Sequence, residues 1–170
     1  MVRNRNLGMM LERMIEQSNR AYLERGLALV QKIPTPTSIN KRKGTAYYTE
    51  KSTVDFIGVY DNGKHIAFDA KETKVNNFAF SRVQEHQVKY LTNTLRFGGE
   101  AFLIILFTSV NECYRLEINE YHELQHMFKE QKRKSIPLVW FRENKEQVTS
   151  KYGIYYDYLS IAGKTKGGGY

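Results

Sequence analysis

The sequence has little cysteine and no long apolar run. Its one cysteine, Cys113, cannot form an internal disulfide, which indicates a reducing compartment. No stretch approaches the roughly 20 apolar residues that span a bilayer, and residues 1–10 lack the apolar core of a signal peptide. We therefore expect a soluble, cytoplasmic protein that contacts no membrane.

Acidic residues are also in short supply. The chain has 18 Asp and Glu against 26 Lys and Arg, which gives a net charge of +8. Residues 1–52 hold ten Lys and Arg but only four Asp and Glu. Basic charge concentrated in one third of a chain favours a polyanion partner, and nucleic acid is the first candidate. At 170 residues the chain is long enough for one compact domain.

Residues 52–74 have the pattern of two short strands joined by a tight turn. Asn62-Gly63 supplies the positive φ angles of a two-residue hairpin connection, and the flanking residues are apolar or β-branched. Asp55 lies near the start of the first strand. Asp69 and Lys71 are two residues apart in the second strand, so they point to the same face. The hairpin can therefore bring two carboxylates and one ammonium group together.

This set of groups suits metal-assisted cleavage of a phosphodiester bond. Carboxylate oxygens hold Mg²⁺, and a lysine can orient the attacking water and offset charge on the phosphate. The spacing from Asp55 to Asp69-x-Lys71 has the form of the PD-(D/E)xK nuclease signature, with Val54 in place of the proline. Because Asp and Lys are common residues, the spacing alone favours three solvated charges on a hairpin over a nuclease site.

A series of motifs along the chain resembles the RecU-type Holliday junction resolvases. The series extends from the first predicted helix to the C-terminal tyrosines, and its order makes it more specific than any one motif. Its members are NLGMMLERMIEQSN, KIPTP, STVDFIGVY, FDAKETK, the HQ pair at His86-Gln87, RKSI at 133–136, and YDYLSI.

The resemblance implies an α/β fold with a PD-(D/E)xK restriction-endonuclease-like core. In such a core a mixed central sheet is flanked by helices, and in this family a basic stalk projects from it. We expect one nuclease domain over residues 1–163, with the stalk as an insertion at about 34–51. Residues 164–170, with three consecutive glycines, are expected to form a flexible tail.

The resemblance also implies a site and partners. Glu12, Asp55 and Asp69 would bind Mg²⁺, with Mn²⁺ as an alternative, while Lys71 positions the water and Gln87 supports the site. Glu12 lies at the border of the apolar face of the first helix, from which it can lean toward the hairpin. The implied enzyme is a homodimer that cuts four-way junctions symmetrically. A recombinase or a branch-migration motor is a further partner that only the resemblance suggests.

Residues outside the hairpin are candidates for contact with branched DNA. Basic side chains suit phosphates, and a tyrosine can stack on bases left unpaired at a branch point. In the resembled family the basic segment after Pro36 enters the junction centre. The predicted DNA contacts are Arg3, Arg5, Lys41, Arg42, Lys43, Tyr48 and Arg82. A solvated loop and a solubilising arm are the alternatives for the N-terminal third, and the cluster at 132–134 is a solvated charge run or a second grip on DNA.

The remaining elements follow from periodicity. We predict helices over residues 8–25, 82–96 and 121–131, and strands over 27–33, 101–110 and 113–118. The apolar run at 101–110 should be a central strand covered on both faces. The segment GIYYDYLSI should pack on the core as a last strand or short helix, and Glu72 should be an exposed strand charge.

The residues and the resemblance together favour a Mg²⁺-dependent endonuclease that resolves Holliday junctions in recombination and repair. Two alternatives stay open from the sequence. One is a protein that binds branched DNA without cutting it, and the other is a nuclease that acts on linear duplex.

Overall fold

A computed structural model describes residues 8–34, 37–40, 45–48 and 53–161 of the chain. Its helices are α1 (Gly8–Glu24), a 3₁₀ turn (Phe80–Arg82), α2 (Glu85–Arg96), α3 (Ile118–Glu130) and α4 (Leu138–Asn144). Its strands are β1 (Ala28–Lys32), β2 (Thr37–Asn40), β3 (Thr45–Tyr48), β4 (Phe56–Tyr60), β5 (Lys64–Thr73), β6 (Asn77–Ala79), β7 (Glu100–Phe107), β8 (Glu112–Glu117) and β9 (Ser135–Pro137).

A five-stranded mixed sheet organises the described chain. Its strand order is β1-β4-β5-β7-β8, in which β5 and β7 run parallel and the other neighbours are antiparallel. Parallel strands need a crossover connection, and α2 supplies it. Every residue of β7 after Glu100 is buried, because helices or irregular chain cover both faces of this strand. The predicted α/β fold, with a mixed sheet flanked by helices, is confirmed.

The two faces of the sheet have separate cores. Helix α1 and the C-terminal segment cover one face, where Leu11 and Ile15 pack with Phe68 and Tyr158. The other face is covered by α2, α3 and α4, and Leu91 and other apolar side chains pack there. Since side chains alternate along a strand, the neighbours of Phe68 in β5 point toward the α2 face. Asp69 and Lys71 therefore share the face that α2 covers.

The hairpin between β4 and β5 differs from the predicted two-residue turn. Tyr60 pairs with Lys64, so three residues form the connection. Asp61, Asn62 and Gly63 all have positive φ, at 45°, 61° and 96°. The extra residue Asp61 adopts the left-handed conformation that Asp and Asn tolerate better than most residues.

The segment after Pro36, expected to lack regular structure, contains the antiparallel pair β2 and β3. These two strands form a sheet of their own, apart from the central sheet. The period-2 pattern was hidden by polar residues on both faces of such short strands. Whether this hairpin serves as a stalk stays a prediction, as do the limits of the domain and of its tail.

The C-terminal segment is neither the strand nor the helix that was expected. Residues 151–161 form turns and an isolated bridge, although Ile154, Tyr156 and Tyr158 are buried as predicted. Hydrogen bonds to side chains of α1 replace a ladder: the backbone N–H of Tyr156 donates to Ser18 at 2.8 Å, and the Tyr158 hydroxyl donates to Asn19 at 2.5 Å. These partners lie over a hundred residues away, beyond the reach of a local pattern.

Within the described ranges no helix is long and apolar enough to cross a membrane.

Candidate active site

The hairpin fixes Asp55 between two strands. Asp55 directly precedes β4, and its backbone carbonyl accepts a hydrogen bond from the N–H of Ile33 at 2.7 Å. Its carboxylate Oδ2 accepts a second bond from the N–H of Ala70 at 2.8 Å. One contact anchors the main chain to the end of β1, and the other anchors the side chain to β5. The carboxylate is therefore held at a defined position over the strand that carries Asp69.

The Asp69 side chain is fully buried, close enough for its charge to act on the Asp55 carboxyl. Burial of the Asp55 carboxyl, together with the negative charge of Asp69, raises the pKa of Asp55 to about 7. The hydrogen bond from Ala70 opposes this rise without cancelling it. The two carboxyls thus lie on the same side of the sheet and repel each other when both are ionised.

Lys71 and Gln87 complete the cluster on the α2 face. The Lys71 ammonium forms an ion pair with Oδ2 of Asp69, and Gln87 Nε2 donates to Oδ1 of Asp69 at 2.9 Å. Gln87 Oε1 accepts from Lys71 Nζ at 3.2 Å and from the N–H of Gln84 at 3.0 Å. Gln87 is the third residue of α2 and belongs to its capping box, so the start of the helix holds this amide in place.

The donor set fits a divalent cation with hard oxygen ligands. Mg²⁺ is usually held by one or two carboxylates and keeps several waters. Asp55 and Asp69 supply two carboxylates, and one lysine leaves part of their charge uncompensated. A bound cation would offset the negative charge of Asp69, which adds to burial in raising the pKa of Asp55. Among the described residues no group of three or more His, Cys, Asp or Glu side chains could hold a metal, so these two aspartates are the protein ligands that the geometry offers.

Glu12 does not join the aspartates as expected. It lies on α1, which packs on the face of the sheet opposite Lys71, and its Oε2 forms an ion pair with Lys32 Nζ at 2.6 Å. Lys32 is the last residue of β1, next to the position where Asp55 is anchored. Since this partner depends on how α1 crosses β1, the helical projection could not identify it.

Glu72 is half-buried and is not the exposed strand charge that was expected. Its Oε1 accepts a hydrogen bond from the N–H of Leu11 in the first turn of α1 at 2.8 Å. A carboxylate at a helix N-terminus is favoured by the helix dipole and by the unpaired N–H groups there. The alternation along β5 was the signal that could have found it, because Glu72 must face away from Lys71 and toward α1.

The predicted DNA contacts fall mostly outside the described residues. Arg3, Arg5, Lys41, Arg42 and Lys43 lie there, and for Tyr48 only its place at the end of β3 is described. Arg82 is exposed in the 3₁₀ turn, and its Nη1 donates to the backbone carbonyl of Glu72 at 2.8 Å. That bond ties the segment before α2 to β5, one residue beyond Lys71.

Comparison with known proteins assigns the chain to a family. The family model of Recombination protein U (RecU) matches residues 6–164. The chain belongs to the RecU family. The resemblance seen in the motifs is thereby confirmed.

Curated members of the RecU family resemble the chain over most of its length. The protein named Holliday junction resolvase RecU from Geobacillus sp. (strain WCH70) is 38% identical, over 94% of this chain and 84% of that protein. The proteins of the same name from Staphylococcus epidermidis and Pediococcus pentosaceus are 36% and 35% identical, over 92% of this chain and 80% and 83% of theirs. The crystal structure of Hjc, a Holliday junction resolvase from Archaeoglobus fulgidus, aligns with a TM-score of 0.40 and 16% identity, over 66% of this chain and 73% of that one.

Proposed function

We propose that this protein is a Mg²⁺-dependent, structure-selective endonuclease that resolves four-way DNA junctions by paired, symmetric cuts. The observation that carries the proposal is the cluster of Asp55, Asp69, Lys71 and Gln87 in a chain of the RecU family. Two carboxylates from neighbouring strands beside one amine are the elements of a metal-assisted phosphodiester hydrolase.

Each residue has a role that its contacts suggest. Asp55 and Asp69 would hold the ion, and Gln87 would fix the orientation of the Asp69 carboxylate through its bond to Oδ1. A bound Mg²⁺, or Mn²⁺ in its place, lowers the pKa of a coordinated water and stabilises charge that develops on the phosphate. Lys71, displaced from Asp69 by the ion, would orient the attacking water. Hydrolysis then leaves a 5′-phosphate and a 3′-hydroxyl.

Glu12 is retained as a residue that contacts the ion through water. This role requires the Glu12 carboxylate to leave Lys32, with which it pairs at 2.6 Å. A DNA phosphate near Lys32 would compete for that ammonium group and release Glu12.

The substrate explains the assembly. A four-way junction has two equivalent strands to cut, so a twofold homodimer with one site in each subunit matches its symmetry. The net charge of +8 favours the phosphates of branched DNA. A recombinase or a branch-migration motor that delivers the junction belongs to the proposal as a partner of the DNA-bound dimer.

The direct test is cleavage of a labelled synthetic junction by purified protein with Mg²⁺, with EDTA, and with linear duplex of the same sequence. We expect paired nicks at symmetric positions that appear only with the junction and the ion. The matched control is Asp69→Asn prepared in the same way, which should bind the junction without cutting it.

Two results would replace the proposal. Junction binding with no Mg²⁺-dependent cutting would indicate a non-catalytic protein that binds branched DNA. Cutting of plain duplex at a fixed sequence, with no preference for the branch, would indicate a nuclease for linear DNA.

A further inference from the structure

A basic groove lies on the α2 face, away from the aspartates. One wall is the segment 79–81 and the other is the C-terminal half of α3 with the residues that follow it. The groove has a volume of about 1040 Å³. Four of its lining residues are exposed cations: Lys129, Lys132, Arg133 and Lys134.

These cations are not neutralised by the surrounding protein. Within the described ranges none of the four forms an ion pair with a carboxylate, and Arg133 instead lies over the ring of Phe128 at 4.8 Å. The acidic residue of the last turn of α3, Glu130, is exposed and lies 3.9 Å from His126. Four uncompensated positive charges around one concavity attract a polyanion.

Lys132 occupies a backbone position that favours glycine. Lys132 follows α3 and has a φ of 56°. Its N–H donates to the carbonyl of Lys129 at 3.0 Å, and the N–H of Arg133 donates to the carbonyl of Phe128 at 2.7 Å. Glycine is the usual residue at such a helix end because it has no Cβ to strain the left-handed conformation. The chain therefore keeps a positive charge here at a conformational cost.

Hydrogen bonds connect the two walls of the groove. The Phe80 N–H donates to the carbonyl of Lys134 at 3.1 Å, and the Tyr121 hydroxyl donates to the carbonyl of Phe80 at 3.2 Å. The same wall continues into Arg82, whose side chain bonds the carbonyl of Glu72 beside Lys71. Hydrogen bonds thus connect the residues after α3 to segment 79–81, and Arg82 connects the end of that segment to β5.

The chemistry of the lining selects among polyanions. Its apolar side chains are Ala79 and Phe80, and Phe80 is only 8% exposed. The remaining apolar surface consists of the stems of long polar side chains. A sugar-phosphate backbone needs charges along a groove, which the four exposed cations supply, whereas an acidic peptide that binds tightly also needs a desolvated pocket for an anchor side chain.

We propose that this groove binds the phosphate backbone of a duplex arm of the junction, on the side of the cleavage site away from the branch point. The proposal rests on the proposed function and adds a second DNA-binding surface to it. The groove would orient the arm so that the scissile phosphate reaches Asp55 and Asp69.

The test compares two double variants that remove equal charge. Lys129→Gln with Lys134→Gln removes two of the four cations of the groove. The control, Arg25→Gln with Arg96→Gln, removes exposed charges at the end of α1 and at the end of α2 opposite Gln87. Binding of a labelled four-way junction is measured by fluorescence anisotropy over a salt series, with Ca²⁺ in place of Mg²⁺. For the groove variant we expect roughly tenfold weaker binding and a salt slope smaller by about 1.8, because each lost phosphate contact removes about 0.9.

The variant Lys132→Gly tests whether the Lys132 side chain contributes to DNA binding or only to the fold. It relieves the left-handed backbone, so the melting temperature should stay or rise while junction affinity falls. A lower melting temperature with unchanged affinity would mean that Lys132 serves the fold alone, which would contradict its part in the proposal.

Other outcomes separate this proposal from the function on which it rests. Equal salt slopes for both double variants, with junction cutting intact, would overturn the groove and leave the nuclease standing. Wild-type protein that binds no junction would overturn both. Poly-glutamate binding that the groove substitutions abolish, with junction affinity unchanged, would assign the groove to an acidic protein and also overturn the proposal.

Discussion

Two clusters of charge are built on the same sheet, and they are balanced in opposite ways. At the β8 side, Arg115 is 2% exposed and lies among Glu100 and Glu117. At the other cluster, Asp55 and Asp69 lie together, and Lys71 forms an ion pair with Asp69. The first cluster is satisfied within the protein. The second retains an excess of negative charge.

The Arg115 guanidinium donates to two carboxylates and to a backbone carbonyl. Nη2 donates to Glu100 at 2.8 Å, Nε donates to Glu117 at 2.6 Å, and Nη1 donates to the Tyr158 carbonyl at 3.1 Å. Burial acts to raise the pKa of Glu100, but hydrogen bonds from Lys64, Tyr60 and Arg115 outweigh it and lower the pKa to about 2. A buried charge so well paired serves the fold.

The direction of the pKa shift distinguishes the two clusters. Glu100 is stabilised as an anion, whereas Asp55 is destabilised as one and has a pKa of about 7. A carboxyl with such a raised pKa beside another carboxyl destabilises the folded state at neutral pH, and such pairs concentrate at functional sites. The two clusters thus differ in whether the protein itself stabilises the charged form of the carboxyl, which it does for Glu100 and does not for Asp55.

The largest expected effect is the loss of cleavage in Asp69→Asn. Removing a ligand forfeits several kcal/mol of transition-state stabilisation, so junction cleavage should fall on the order of 10³-fold or more. Glu117→Gln is the matched substitution in the other cluster, and it should lower stability without changing cleavage per folded molecule. Equal loss of activity in both variants would erase the distinction between the clusters.

Breaking the satisfied cluster should cost stability instead. Arg115→Met leaves Glu100 and Glu117 without their buried partner, and we expect a loss of about 3–5 kcal/mol in the free energy of unfolding. Urea denaturation at neutral pH measures it. A loss below about 1 kcal/mol, typical of surface pairs, would mean that water already satisfies these carboxylates.

Asp55→Asn should stabilise the metal-free protein at pH 8 and abolish its activity. Because the pKa of Asp55 is raised in the folded state, to about 7, folding loses stability as pH rises from the unfolded value near 4 to that point. The asparagine still accepts from Ala70 but carries no charge. We expect a gain on the order of 2 kcal/mol at pH 8 that disappears near pH 4, measured by denaturation at both values.

Glu100→Gln provides the opposite pH dependence. The lowered pKa of Glu100 stabilises the fold above the unfolded value near 4.5, and this contribution is lost as pH falls through about 2. The variant should therefore be less stable than wild type at neutral pH and equal to it in strong acid. The same sign for both variants would contradict the comparison.

The smallest effect is expected at Gln87, which holds Asp69 without binding the ion itself. Gln87→Met keeps the size of the side chain but removes its three hydrogen bonds, with Asp69, Lys71 and the N–H of Gln84. Loss of such a support costs roughly 10–100-fold in metal affinity or activity, so the Mg²⁺ concentration for half-maximal cleavage should rise accordingly. Recovery of the rate at high Mg²⁺ would separate this role from that of Asp69, whose loss saturating Mg²⁺ should not rescue.

Local pattern predicted the parts of the site that depend on one hairpin. The period of two put Asp69 and Lys71 on one face, and the turn residues placed Asp55 beside them. The apolar run of β7 was also sufficient to predict a buried strand. Glu12 was different, since its contact with Lys32 depends on the angle at which α1 crosses β1. The C-terminal segment likewise depends on side chains of α1 that lie far away in sequence.

The most direct test of the central claim, that Asp55 and Asp69 jointly hold a divalent cation, is calorimetric titration of Mn²⁺ into the DNA-free protein at pH 7 in two buffers of different ionisation enthalpy. We predict binding accompanied by proton release. Asp55, with a pKa of about 7, is partly protonated at this pH and would lose its proton when the ion binds. Both the binding and the proton release should be lost in Asp69→Asn. Unchanged Mn²⁺ binding in that variant would contradict the account.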